Sequence, residues 1–122
     1  VGKAEGRGCF GEMERGGAMI ITIIGSTQFQ IKMWAHKKSM EMEGHRVYLP
    51  VFDDFNGDAL ALCARNRELI EAADEIHVFW DQRSTGTIFD FGMAFALRKK
   101  VRIIYMEEKT FRGVMEAYAD GK

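Results

Sequence analysis

The chain has 122 residues, of which 47% are hydrophobic, enough for one globular domain with a sizeable core. A formal net charge of −1 gives no basic excess of the kind a nucleic-acid binder carries, so the expected partner is a small molecule and not a polyanion. Cys9 and Cys63 fit no zinc or disulfide framework, no apolar run is long enough to cross a bilayer, and the N-terminus lacks the apolar stretch of a signal peptide. The expected setting is therefore reducing and cytoplasmic, away from membranes.

Residues 1–18 hold six of the 13 glycines, with alternating charges and no hydrophobic period. They read as a mobile extension or a non-native start, with an ordered arm as the alternative. The working domain is expected to cover 19–122. Met19 to Ile24 is a continuous apolar, β-branched run and reads as a strand buried on both faces, ended by Gly25-Ser26-Thr27. Phe29, Met33, His36 and Met40 recur at helical spacing, and Gly44 stops that helix. His45 to Leu49 reads as a second strand closed by Pro50, and Val51 to Asp58 as a loop. Ala59 to Ala73 reads as a helix burying Leu62, Leu69, Ile70 and Ala73. Glu75 to Trp80 reads as a strand, Thr87 to Arg98 as a helix, Val101 to Tyr105 as a strand, and Thr110 to Tyr118 as a last helix.

Strands and helices alternate four times. That pattern predicts an α/β, three-layer Rossmann-like (flavodoxin-like) fold with a parallel sheet of about four strands, order 2-1-3-4. The order reverses between strands 1 and 3, which opens a crevice at their C-terminal ends. The loop after strand 1 (Gly25 to Gln28) and the stretch after strand 3 that starts at Trp80 and Asp81 then converge there.

Gly25-Ser26-Thr27 offers backbone amides, two hydroxyls and a helix N-terminus, suited to phosphate, carboxylate or sugar hydroxyls. It lacks the Gly-Lys-Ser/Thr of a nucleotide-triphosphate loop and reads equally as a strand-to-helix turn with Ser26 or Thr27 as N-cap. Asp90 falls in the first turn of the predicted third helix, where the dipole favours an ionised carboxylate by ~0.5–1 kcal/mol. It reads either as a nucleophile or base, or as the far end of a capping box with Thr87. Asp81 ends strand 3 and reads as a ligand group or an Asx turn. Ser84, Gly86 and Thr87 complete the loop, and Arg83 either meets an anion or is solvated. Asp74 precedes strand 3, at the end away from the crevice. His36, His45 and His77 fall on different elements, so no metal site is expected, and no cofactor is implied. His77 reads as a sheet residue with a satisfied partner. The predicted third helix carries Phe89, Phe91 and Phe95 beside Gly92, Ala94 and Ala96. It is apolar nearly all round, which suggests burial on both sides and a homodimer or higher homo-oligomer.

With these residues in place, the chain resembles the nucleoside 2-deoxyribosyltransferase-like superfamily, which includes base-swapping deoxyribosyltransferases and deoxynucleoside monophosphate N-glycosidases. The resemblance spans roughly Met19 to Tyr105. It rests on Ile23-Ile24-Gly25-Ser26, the Gly-His-x-Val-x-Leu-Pro run from Gly44 to Pro50, Ala73-Asp74, and Gly86-x-x-x-Asp90-x-Gly92-x-Ala94. It implies that Asp90 attacks the anomeric carbon of a deoxyribose to form a glycosyl ester. It further implies that Asp74 handles the base or its proton, that Ser84 holds the sugar or its 5′ group, and that Gly25 and Ser26 form the glycine-serine loop. The family nucleophile is normally glutamate. Asp90 is one methylene shorter, a displacement of more than ~1 Å that can cost about a hundredfold in rate. The family's strand-1 tyrosine falls at Thr22, and the arginine of the monophosphate branch falls near Gln28.

The run Phe79-Trp80-Asp81-x-x-Ser84-x-Gly86-Thr87 also resembles the Trp-Asp-Gly-x-Ser-x-Gly-Thr signature of small Rossmann-like nucleotide binders grouped with lysine-decarboxylase-like and DNA-processing proteins. Here Gln82 stands at the signature glycine. This second resemblance implies a nucleotide-binding module without turnover, in which Asp90 caps a helix and Trp80 or Phe29 stacks on a base. A third possibility is a purely structural dimer.

Overall fold

The computed structural model describes residues 17–50, 58–107 and 110–120. Nearly all of the expected extension 1–18, and the expected loop from Val51 as far as residue 57, lie outside them.

Four strands form one parallel sheet in the order β2-β1-β3-β4, where β1 is Ile20–Gly25, β2 Arg46–Tyr48, β3 Glu75–Trp80 and β4 Lys100–Met106. The connections are α1 (Gln30–Met42), α2 (Ala59–Ala72) and α3 (Thr85–Ala96), and α4 (Phe111–Ala119) follows β4. This is the expected three-layer α/β Rossmann-like fold with the expected strand order. Among the described residues no helix is long and apolar enough to cross a membrane.

β1 is central, and its residues 21–24 are buried on both faces. Ile21 and Ile23 pack on one face with Phe29 and Met33 from the α1 side, and with Val47 and Phe79. Ile24 packs on the other with Ile70 and Ala73 from the α2 side, Ala94 of α3, and Ile76 and Val78. Alternation along a central parallel strand therefore splits the core into two layers, one on each side of the sheet. Thr22 is the one polar residue in the middle of that strand, and its hydroxyl donates to the Leu69 carbonyl at 2.7 Å. A buried hydroxyl is tolerated because it is paired.

α1 ends at Met42 with Glu43 as its C-cap, and Gly44 follows with φ +98°, the left-handed conformation that glycine adopts without a Cβ clash. The register between β3 and β4 shifts at Val78/Phe79, where Ile104 has no partner of its own. The shift sets Tyr105 against Phe29, ring edge to ring face at 5.1 Å.

α3 starts at Thr85, two residues before the expected Thr87, because Ser84 is its N-cap. The Ser84 hydroxyl oxygen accepts from the Thr87 amide at 3.4 Å and from the Thr87 hydroxyl at 3.1 Å. Thr87 thus occupies the third helical position. The expected capping box between Thr87 and Asp90 does not form, since the cap lies one turn earlier.

Candidate functional site

The crevice opens where β1 and β3 lie side by side and their following helices lead away to opposite faces of the sheet. Three contacts close its floor. The Ser26 amide donates to the Phe79 carbonyl at 3.0 Å, the Asp81 amide donates to the Ser26 hydroxyl at 3.3 Å, and the Gln28 side-chain amide donates to Asp81 Oδ2 at 2.9 Å. The two loops that topology brings together are therefore hydrogen-bonded to each other directly. Gly25 makes this approach possible. A Cβ there would lie 2.5 Å from the Phe79 carbonyl oxygen and 2.9 Å from Met33 Sδ.

Asp81 organises the second loop. Its Oδ1 accepts from the amides of Arg83 at 3.0 Å and Ser84 at 2.9 Å, an Asx-type turn, while Oδ2 takes Gln28. Partial burial works to raise its carboxyl. The amides of Arg83 and Ser84 and the Ser26 contact outweigh that and hold it below the ordinary aspartate range. Both oxygens are occupied by protein donors, so Asp81 shapes the loop. The turn forces Gln82 to φ +64°, a left-handed conformation that glycine favours. That is a physical reason for a glycine at this position of the Trp-Asp-Gly signature.

Ser26 is buried and precedes the 3-10 turn Thr27–Phe29 without a side-chain capping bond, because its hydroxyl is turned to Asp81. Thr27 is exposed at the mouth. Gly86 faces open space, so nothing in the described protein itself demands a glycine there. Trp80 is partly buried with its indole N–H on the Ser84 carbonyl at 3.3 Å, and Phe29 is buried against Tyr105. Phe29 is closed to base stacking, whereas Trp80 keeps part of its surface exposed.

Asp90 sits in the second turn of α3, roughly 7–8 Å along the helix from Thr85 at 1.5 Å per residue. The dipole stabilisation expected for a first-turn carboxylate has faded there. Thr87, Asp90 and Ala94 form the buried stripe of α3, which packs on α2 and β1. Asp90 is 9% exposed, and among the described residues its carboxyl has no hydrogen-bond or ion-pair partner. Burial pushes its pKa up to about 6. A buried carboxyl with a raised pKa is a candidate acid, base or nucleophile.

Asp74 is not brought to this site. It lies exposed before β3, at the N-terminal edge of the sheet, with a whole strand of roughly 20 Å between it and the crevice. There it clasps β1. Its Oδ2 accepts from the Ile20 amide at 2.8 Å and its own amide donates to the Ile20 carbonyl at 2.7 Å. The structure thus gathers Gly25, Ser26, Thr27, Asp81, Ser84, Gly86 and Thr87 at one end of the sheet, with Asp90 below them.

Gln28, expected in the loop after strand 1 but not among the site residues, contributes to the site through its bond to Asp81. Its bond to Asp81 spans 53 positions and leaves no local signal. A separate apolar cavity of about 400 Å3, lined by Gln30, Ile31, Met33, Trp34, Leu49 and Pro50, lies between the start of α1 and the end of β2. It is on the α1 face, whereas Asp90 is on the α3 face. Among the described residues no group of three or more histidine, cysteine or acidic side chains is arranged to hold a metal ion. The chain matches no family model and no curated protein.

Proposed function

We propose that this protein acts on the N-glycosidic bond of a 2′-deoxynucleoside or its 5′-monophosphate, with Asp90 as nucleophile. The observation that carries the reading is the buried Asp90 carboxyl, without a partner among the described residues, with its pKa at about 6. The substrate class comes from the resemblance described above. Ionised Asp90 attacks C1′ of the deoxyribose, the C1′–N bond breaks, and its electron pair leaves with the base, which takes a proton. Water or a second base then releases the sugar from the glycosyl ester. Ser26, Thr27, Ser84, Gly86 and Thr87 surround the sugar or its 5′ group at the mouth. Asp74 lies too far from Asp90 to protonate the base, so in this reading that proton comes from solvent through the open crevice.

Binding without turnover is the second reading. It is supported by the position of Asp90 a turn below the helix N-terminus, where a short aspartate side chain has to reach upward to meet an anomeric carbon. The same proposal includes a homodimer through α3. Ile88, Phe89 and Phe95 are 49%, 56% and 74% exposed on that helix, an apolar face of the kind that marks an interaction surface.

Base release from a panel of 2′-deoxynucleosides and their monophosphates tests the two readings, with Asp90→Ala and Asp90→Glu beside the parent. Glycosidic cleavage requires release that vanishes in the alanine variant and persists or rises with glutamate. No release from any substrate, with a nucleotide still protecting the fold against heat, leaves the binding module.

A further inference from the structure

A polar chain whose middle, Glu75 and His77, is buried crosses the sheet face beneath α1, from the exposed Lys100 to the half-buried His36. Lys100 Nζ of β4 lies 3.2 Å from Glu75 Oε2, Glu75 Oε1 is 2.9 Å from His77 Nε2, and His77 Nδ1 is 2.8 Å from His36 Nε2 on α1. Glu75 and His77 are 5% and 3% exposed, and His36 is half-buried. Three ionisable groups in series under a helix are costly unless every link is made, so the direction of each bond is constrained.

The direction follows from donor chemistry. A carboxylate only accepts, so His77 donates from Nε2 to Glu75. In a neutral His77 the remaining Nδ1 is an acceptor, and His36 must donate to it from Nε2. One added proton is held without loss of a bond. His77 then donates from both nitrogens, to Glu75 and to His36, and His36 carries its hydrogen on Nδ1. A second added proton cannot be held in this way. Both facing nitrogens would carry hydrogen, and two imidazolium rings would meet at a distance of 2.8 Å.

We propose that the His36–His77 hydrogen bond is a proton-operated latch that fastens α1 to the sheet while the imidazole pair holds no more than one added proton and releases it when both rings are charged. The groups facing the pair define its surroundings. Glu75 and Lys100 stand at the His77 end, Glu43 at the end of α1 attracts a charged His36, Arg102 of β4 repels it, and Phe79 packs its ring 5.5 Å from that of His36. Burial, then the neighbouring His77, lowers the pKa of His36 below 6.5. The hydrogen bond from His77, against the opposing effect of burial and with help from Lys100, holds Glu75 at about 2, so the anion at the other end persists through the range in which His36 takes up a proton. The sign is that of a base depressed in the closed state. Closed and open forms bind equally few protons well above pH 6.5. Below that value the open form binds more, and closing weakens as pH falls. α1 is continuous with the 3-10 turn after Ser26, so release of its middle loosens one wall of the crevice.

The latch is tested by amide exchange along α1 and by imidazole 15N shifts from pH 8 to 5, in the parent, His36→Gln and His36→Phe. At pH 8 the shifts should place hydrogen on Nε2 of both rings. Protection of α1 in the parent should then fall about tenfold per pH unit for each proton taken up on opening. A glutamine side chain can donate to or accept from His77 by turning over its amide, so His36→Gln should hold α1 protected across the whole range. His36→Phe, which has no such bond, should lower protection of α1 equally at every pH. Equal acid-induced loss in the parent and in His36→Gln, or two rings that titrate independently of one another, would overturn the proposal.

Discussion

Asp81 and Ser84 hold the crevice loop between them, with the carboxylate of the first accepting the amide of the second at 2.9 Å and the hydroxyl of the second capping α3. The residue enclosed by this clasp, Gln82, has φ +64°. A side chain there costs about 1 kcal/mol relative to glycine. Gln82→Gly should therefore raise stability by about 1 kcal/mol, less the entropy glycine adds to the unfolded chain. Thermal unfolding should show a midpoint a few degrees higher; a lower midpoint would mean that the unfolded-state term dominates.

Asp90 opposes folding at neutral pH. Its folded value of about 6 lies above the 3.8 of a free aspartate, so the folded chain binds the proton more tightly. Stability falls as pH rises from 3.8 through 6 and levels off above, a total of about 3 kcal/mol at 1.36 kcal/mol per unit. Asp90→Asn keeps the shape and removes the charge. It should stabilise the fold by about 1–3 kcal/mol at pH 7.5 in denaturant titration and show little gain at pH 4. A constant difference at both pH values would disprove the buried-carboxylate account.

If base release occurs, its rate should follow ionisation of the same group, rising with pH through about 6 and flattening above 7. A rate that declines across that interval would assign the carboxyl an acid role instead.

Gly25→Ala should destabilise by about 1–3 kcal/mol, since the added methyl meets a backbone carbonyl that cannot move aside cheaply. The displaced partner is Phe79, so the loss should come with exposure of the β1–β3 end, read as faster amide exchange at Ser26. Unchanged exchange there would show that β1 yields elsewhere.

Asp74→Ala separates clasp from chemistry. Removing the Ile20 contact at an exposed strand end should cost about 1 kcal/mol of stability. The pH dependence of any base release should stay as in the parent, because a full strand separates Asp74 from Asp90. A shifted pH profile would restore Asp74 to the proton transfer.

Hydrophobic pattern determined the α/β class and the four strands, while the strand pairing decided that their expected order 2-1-3-4 holds among the orders that right-handed crossovers allow. Alternation of β-branched runs with helical spacing leaves one parallel sheet as the way to bury Ile21 to Ile24 on both sides. That the loops at Gly25 and Asp81 share a crevice follows from that order, in which β1 and β3 are neighbours. Tertiary structure decided what each polar group in that crevice does. Ser84 won the cap from Thr87 by lying one turn earlier, which carried Asp90 into the second turn and made burial, and not the helix dipole, the force on its carboxyl. Gln28 and Asp81 are 53 positions apart, and Glu75, His77 and His36 meet across two elements. Such pairings depend on side-chain positions in three dimensions, whereas local sequence periodicity records only which face of an element is apolar.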